Sequence, residues 1–153
     1  MYEINKAAVI GAGTMGLGIA GQLANAGIDV LLLDLPSDGE DRNAICQRAI
    51  ERLLDENQPG LLHKDLLERI AIGNIEDDLD KLADVDWIAE AVVERLDIKK
   101  ALYERIDAVR KKGSIVSSNT STIPISLLVE DMPASFRSEF AITHFFNPVR
   151  YMK

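Results

Sequence analysis

Two imidazoles occur in this chain of 153 residues, His63 and His144, and they keep different company. His144 stands in an apolar run, Phe140-Ala141-Ile142-Thr143-His144-Phe145-Phe146, which Asn147-Pro148 follows at once. Oxidising an alcohol needs a base for the hydroxyl proton while the carbon gives up hydride, and an imidazole suits that task near neutral pH. Ser121, in the segment Ser118-Asn119-Thr120-Ser121, and Asn147 carry short polar side chains that can hydrogen-bond the same oxygen or the amide of a nicotinamide. Residue type alone leaves a second reading open for His144, that of a hydrogen-bonded structural histidine. His63, between Leu62 and Lys64-Asp65, reads as an exposed residue at a helix start.

The second chemical signal is Gly11-Ala12-Gly13-Thr14-Met15-Gly16, a G-x-G-x-x-G sequence. It follows the apolar run Ala7-Ala8-Val9-Ile10, opens a helical pattern, and has Asp34 about twenty residues on. Gly11 permits a tight turn, Gly13 lets backbone approach a pyrophosphate, and Gly16 lets helix pack close to strand. The pyrophosphate then meets the free N–H groups and positive dipole end of the helix. Asp34 can accept hydrogen bonds from a ribose diol and would repel a 2′-phosphate, so the expected cofactor is NAD rather than NADP.

These residues need elements to hold them. After the strand ending at Ile10, a helix is expected over about 14–26, stopped by Gly27. Val30-Leu31-Leu32-Leu33 is the second strand and ends on Asp34. Ser37-Asp38-Gly39-Glu40 fits a capping box, and the helix it opens carries Ile45, Ala49 and Leu53 on one face and Arg48 and Arg52 on another. A further helix is expected over about 63–68, and strands over 69–72, 86–92, 114–118 and 140–146. A long helix is expected over about 96–110 and a short one from Pro124. Strands alternating with helices define an α/β fold, a doubly wound, mostly parallel sheet of the Rossmann kind. Both the Ser118–Ser121 and the His144–Pro148 segments then fall at carboxyl ends of strands, where such sheets bind ligands.

Composition narrows the function classes. The chain is 47% hydrophobic and 27% charged, the balance of a globular domain, and its length suits a single one. The net charge of −8 argues against a nucleic-acid partner, which would need a basic face. No apolar run approaches the eighteen or so residues of a membrane span. Met1-Tyr2-Glu3-Ile4-Asn5-Lys6 shows no secretory pattern, and the expected location is cytoplasmic. Cys46, the only cysteine, reads as a structural thiol, and no metal site is expected.

Together these segments resemble the NAD-binding domain of the 3-hydroxyacyl-CoA dehydrogenase family over essentially the whole chain. The resemblance rests on Gly11 to Gly16, Ile88-Ala89-Glu90-Ala91-Val92-Val93-Glu94, Ser118-Asn119-Thr120-Ser121 and His144-Phe145-Phe146-Asn147-Pro148-Val149. It implies His144 as catalytic base, Ser121 as a hydroxyl contacting substrate and cofactor, and Asn147 near the nicotinamide. It further implies Asp34 on the adenosine ribose and Glu94 and Lys99 as cofactor contacts. The family's helix pair after the second strand contacts CoA, which would give Arg48 and Arg52 a role beside the plainer one of a solvated helix face. The reaction implied is NAD-dependent oxidation of (S)-3-hydroxyacyl-CoA to 3-oxoacyl-CoA in fatty-acid β-oxidation.

The pattern also departs from the family. Val149-Arg150-Tyr151-Met152-Lys153 stands where many members have a second proline, and it weakly resembles the branch fused to an enoyl-CoA hydratase-like domain. The family's histidine is oriented by a glutamate a few residues further on, and a helical C-terminal domain supplies an asparagine and the dimer contacts. The expectation is therefore a cofactor-binding half, residues 1–153, whose helical domain lies elsewhere. Its expected partners are acyl-CoA, that helical domain and further copies of itself. Two alternatives stay open: a domain of the 3-hydroxyisobutyrate or 6-phosphogluconate dehydrogenase type, which uses a lysine base, and a non-catalytic NAD-binding protein of the same fold.

Overall fold

The computed structural model describes residues 3–55 and 59–152; Met1, Tyr2 and Lys153, named above for the chain ends, lie outside them. Six strands form one all-parallel sheet: β1 (Lys6–Ile10), β2 (Asp29–Asp34), β3 (Ile70–Asn74), β4 (Trp87–Glu90), β5 (Ile115–Ser118) and β6 (Phe140–Ile142). Their spatial order is β3-β2-β1-β4-β5-β6. Successive side chains of a strand point to opposite faces. Accordingly Ala8, Ile10, Leu31, Leu33, Ile88 and Val116 pack on one face, and Ala7, Val9, Val30, Leu32 and Ala89 on the other. Both faces are covered, which is why β1 and β2 read as continuous apolar runs.

The first face is covered by α3 (Leu96–Val109) through Leu102, Tyr103 and Ile106, with α4 (Ile125–Leu128) and α5 (Ala134–Ser138) adding Leu128 and Phe136. The second is covered by α1 (Thr14–Asn25) through Ile19, Ala20 and Leu23, and by α2 (Ala44–Leu53) through Cys46, Ala49 and Leu53. Gly27, at φ +84°, closes α1 in the left-handed region that glycine tolerates best. Cys46 is buried and desolvation pushes its thiol up to about 12, so it is an inert core side chain.

Three expectations are corrected. Ser37 and Glu40 do not open a helix. α2 starts at Ala44, and the Ser37 hydroxyl is buried with no partner among the described residues. Tertiary bonds outweigh the local pattern there: Arg42 pairs with Asp77 at 2.6 Å, and Asn43 accepts from Asn74 at 2.8 Å, pinning both residues to the exit of β3. The segment at 63–68 is a 3-10 helix, Lys64–Arg69. β4 and β6 are shorter than the apolar runs that announce them. β6 pairs only from Phe140 to Ile142, so His144 lies beyond the strand.

The tightest point of the fold is the turn from β1 into α1. A Cβ on Gly16 would stand 1.7 Å from the Gly11 carbonyl oxygen, whereas a Cβ on Gly13 would meet nothing within 4 Å. Gly16→Ala should therefore lower unfolding free energy by about 1–3 kcal/mol, as overpacking does, and Gly13→Ala by less than about 1 kcal/mol. Urea titrations of the two variants check this contrast; equal losses would show that the turn is not the close contact described.

Candidate functional site

The strand order reverses between β1 and β4, and ligands in open α/β sheets bind at such a switch point, outside the carboxyl ends of the strands. A cleft of about 540 Å³ lies there, lined among others by Gly11, Gly13, Asp34, Leu35, Ile75 and Arg105. Gly11, at φ +106°, makes the turn; a Cβ on it would come within 2.5 Å of the Ala91 carbonyl oxygen. Gly13 is the N-cap of α1 and gives no side-chain cap bond, and no acidic residue stands in the first turn. The N–H groups that start a helix have no intrahelical partner, so Thr14, Met15 and Gly16 leave theirs for a ligand. The open space beside Gly13 meets the same need: nothing in the protein demands a glycine there, but a pyrophosphate lying on the backbone would.

Asp34 ends β2 at this point. Its Oδ2 accepts from the Ala12 N–H at 2.5 Å and its Oδ1 from the Leu35 N–H at 2.7 Å. The acid thus ties β2 to the glycine turn, and each oxygen keeps a lone pair for a ribose hydroxyl. On the far side of the cleft Arg105 donates to the Ile75 carbonyl at 2.7 Å and pairs with Glu76 at 3.0 Å. The sequence reading missed this wall. Arg105 lies on α3, and no local pattern connects it to the exit of β3.

At the ends of β5 and β6 the catalytic candidates come together. The Thr143 N–H donates to the Ser118 carbonyl at 3.0 Å, and the Phe145 N–H to Asn119 Oδ1 at 2.8 Å. These bonds lay Thr143–Phe145 along Ser118–Asn119, the first halves of the two candidate segments. His144, Ser121 and Asn147 are all exposed. The His144 ring lies 4.7 Å from that of Phe146 and makes no hydrogen bond among the described residues. A buried structural histidine would be bonded; this one faces outward and unpaired. Val149 seats the next turn on α1, where a Cβ on Gly18 would come within 2.9 Å of it. Arg150 donates to the carbonyls of Pro59 and Leu61, which gives the residue at this departure from the family pattern a structural task. His63 is exposed and accepts from the Asp65 N–H at the start of its short helix.

Glu94 and Lys99 prove to be coupled. Glu94 Oε1 accepts from the hydroxyls of Thr120 and Thr122, and its Oε2 pairs with Lys99 Nζ at 3.3 Å. Burial alone would push the Glu94 carboxyl up. The Thr120 hydroxyl and the charge of Lys99 outweigh it and hold the group at about 2. The Glu94 side chain is 39% exposed, whereas that of Lys99 is 1% exposed. Glu94 is therefore open to a ligand, and Lys99 stands behind it.

An α/β sheet of this order with a glycine turn, an acid on β2 and a ligand-ready helix start is an NAD-binding Rossmann domain. Residues 6–153 match the family described as 3-hydroxyacyl-CoA dehydrogenase, NAD binding domain, and the chain belongs to that family. It is 50% identical over 151 residues to a probable 3-hydroxyacyl-CoA dehydrogenase of Deinococcus radiodurans, covering 98% of this chain and 44% of that protein. It is 45% identical to a putative fatty acid oxidation complex trifunctional enzyme of Rickettsia felis, covering 99% of this chain and 21% of that one. Among solved structures, 3-hydroxybutyryl-CoA dehydrogenase of Escherichia coli superposes with a TM-score of 0.83 at 34% identity, covering 99% of this chain and 32% of the other. The chain thus spans less than half the length of these relatives.

Selection of NAD over NADP should rest on Asp34. Asp34→Ala should narrow the gap between the two affinities, because it removes both a ribose acceptor and a negative charge at the 2′ position. Calorimetric titration with NADH and NADPH checks this; equal affinities in the unmutated chain would contradict the assignment.

Proposed function

We propose that this chain is the cofactor-binding part of an enzyme that oxidises (S)-3-hydroxyacyl-CoA to 3-oxoacyl-CoA in fatty-acid β-oxidation. The observation that carries the reading is the tie of the exposed His144 segment to Asn119 of the Ser118–Ser121 loop, with Asn147 bordering the same cleft as Thr14 of the glycine turn. NAD would supply the acceptor for the hydride. The residues of this chain would do the rest. Thr14, Met15 and Gly16 present backbone N–H groups to the pyrophosphate, and Asp34, held by the Ala12 N–H, receives the adenosine ribose. Glu94 accepts hydrogen bonds at the nicotinamide end, and Asn147 borders it. His144 takes the hydroxyl proton on a ring nitrogen while Ser121 holds the same substrate oxygen.

The CoA portion carries phosphates and needs cations. Arg48 and Arg52 are exposed on α2, and Arg52 donates to the Thr14 hydroxyl at 3.4 Å. A cleft of about 320 Å³ runs from Arg52 past Asn147 to Arg150 and Tyr151, a polar path from helix to catalytic segment. The partners proposed for the whole protein are a helical domain that orients His144 with a carboxylate, further copies of the chain, and a fused hydratase-like domain, a fusion that suits likeness to a trifunctional fatty acid oxidation enzyme. The lysine-base alternative finds no support in the family match. A non-catalytic role is separated from the proposal by turnover.

In the protein joined to its helical domain, His144→Gln should lower turnover of 3-hydroxyacyl-CoA by about two to four powers of ten, the usual worth of a general base. NADH affinity and folding should be retained, and KM should change less than kcat, since proton transfer belongs to the transition state. Stopped-flow measurement of NADH formation checks this; a loss of less than about threefold with chemistry rate-limiting would remove the imidazole from the base's role.

A further inference from the structure

Glu90 ends β4 in an otherwise apolar run and is fully buried. A strand covered on both faces has no need of a charge, and withdrawing a carboxylate from water is costly. Here the charge is fully met. Oε1 accepts from the Val92 N–H at 2.8 Å and from Lys99 Nζ at 2.6 Å; Oε2 accepts from the hydroxyls of Tyr103 and Ser118, each at 2.6 Å. Desolvation, then the charge of Glu90, pushes the Tyr103 phenol above its ordinary range, so it keeps its proton.

Buried ion pairs are often no more stabilising than apolar side chains of equal volume, so stability alone gives no reason for this one. Its connections give one. Val92 enters the turn that carries Glu94. Lys99 and Tyr103 belong to α3. Ser118 enters the loop that carries Ser121. Lys99 reaches from Glu90 to Glu94, and the Thr120 and Thr122 hydroxyls close the ring onto the other Glu94 oxygen. One buried carboxylate therefore joins three elements, and the chain of bonds reaches the surface at Glu94 and its neighbour Thr122.

We propose that Glu90 is the positioning residue for the nicotinamide end of the site: through Lys99 and Ser118 it sets where Glu94 and Ser121 stand. Lys99 acts by holding Glu94. The proposal rests on the reading that Glu94 meets the nicotinamide half.

The test compares two probes by calorimetry on the chain: NADH, and ADP-ribose, which lacks the nicotinamide. Glu90→Gln keeps the shape and removes the charge, because the Tyr103 and Ser118 hydroxyls can turn to accept from the new amide. It should weaken NADH about tenfold, the worth of one hydrogen bond to a charged group, and change ADP-ribose by less than about twofold. Glu94→Gln should lose a similar factor, and the double variant no more than Glu94→Gln alone, the signature of two residues acting through one contact. Equal weakening of both probes, or losses that multiply in the double variant, would mean that Glu90 only supports the fold, and would overturn the proposal. So would a loss in Glu94→Gln with none in Glu90→Gln. Unchanged NADH affinity in Glu94→Gln would instead overturn the underlying placement of Glu94, and the proposal with it. If circular dichroism shows Glu90→Gln unfolded, Ser118→Ala carries the test: about a threefold loss confined to NADH supports the proposal, and no loss overturns it.

Discussion

The approach of Gly16 to the carbonyl of Gly11 decides where everything else stands. With no side chain between them, α1 begins directly on the end of β1, and its free N–H groups open onto the point where the sheet order reverses. Any Cβ on Gly16 would lift the helix away and take the anion site with it. The bond from Ala12 to Asp34 locks the same turn to β2, so that one acid both shapes the cradle and faces the cleft. Once this corner is set, the cleft between Gly11 and Arg105 follows from the crossover to α3.

The second centre of order is polar and lies under the other end of the site. Glu90, Lys99, Tyr103 and Ser118 are buried together where β4, α3 and β5 converge. The arrangement divides the labour of the site. The glycine turn supplies backbone donors on rigid elements, while the exposed residues Glu94, Ser121 and His144 sit on loops held from beneath. His144 is anchored through the backbone of its neighbour Phe145, so its ring stays available.

Much of this was legible in the sequence because its period is local. The runs Ala7–Ile10 and Val30–Leu33 name buried parallel strands, and the glycine spacing after the first names the turn. The paired segments at Ser118 and His144 name two loops that hydrogen bonds join, and the family match agrees with the fold they imply. What was not legible depends on contacts distant in sequence. The hydroxyl-and-glutamate spacing at Ser37 and Glu40 is a sound local signal, but Asp77 and Asn74 hold Arg42 and Asn43, just after it, at the exit of β3. β6 ends early because β5 ends at Ser118 and offers no further partner. Lys99 matches a cofactor-contacting position, yet only packing shows that its amine is enclosed by two carboxylates. A clue to Glu90 was present all the same: a lone charge inside Ile88-Ala89-Glu90-Ala91-Val92 is out of place unless something buried answers it.

In this arrangement NAD would lie across the carboxyl ends of β2, β1, β4 and β5, from Asp34 over the glycine turn to Glu94 and Ser121. Titrating the isotopically labelled chain with NADH and following its amide resonances by NMR tests this directly. The largest shifts should fall at Ala12 to Gly16 and around Asp34, with a second group at Glu94, Ser121 and Asn147. The second group should be lost when ADP-ribose replaces NADH. Saturable binding that leaves the glycine turn unmoved, or shifts confined to the opposite edge of the sheet, would contradict it.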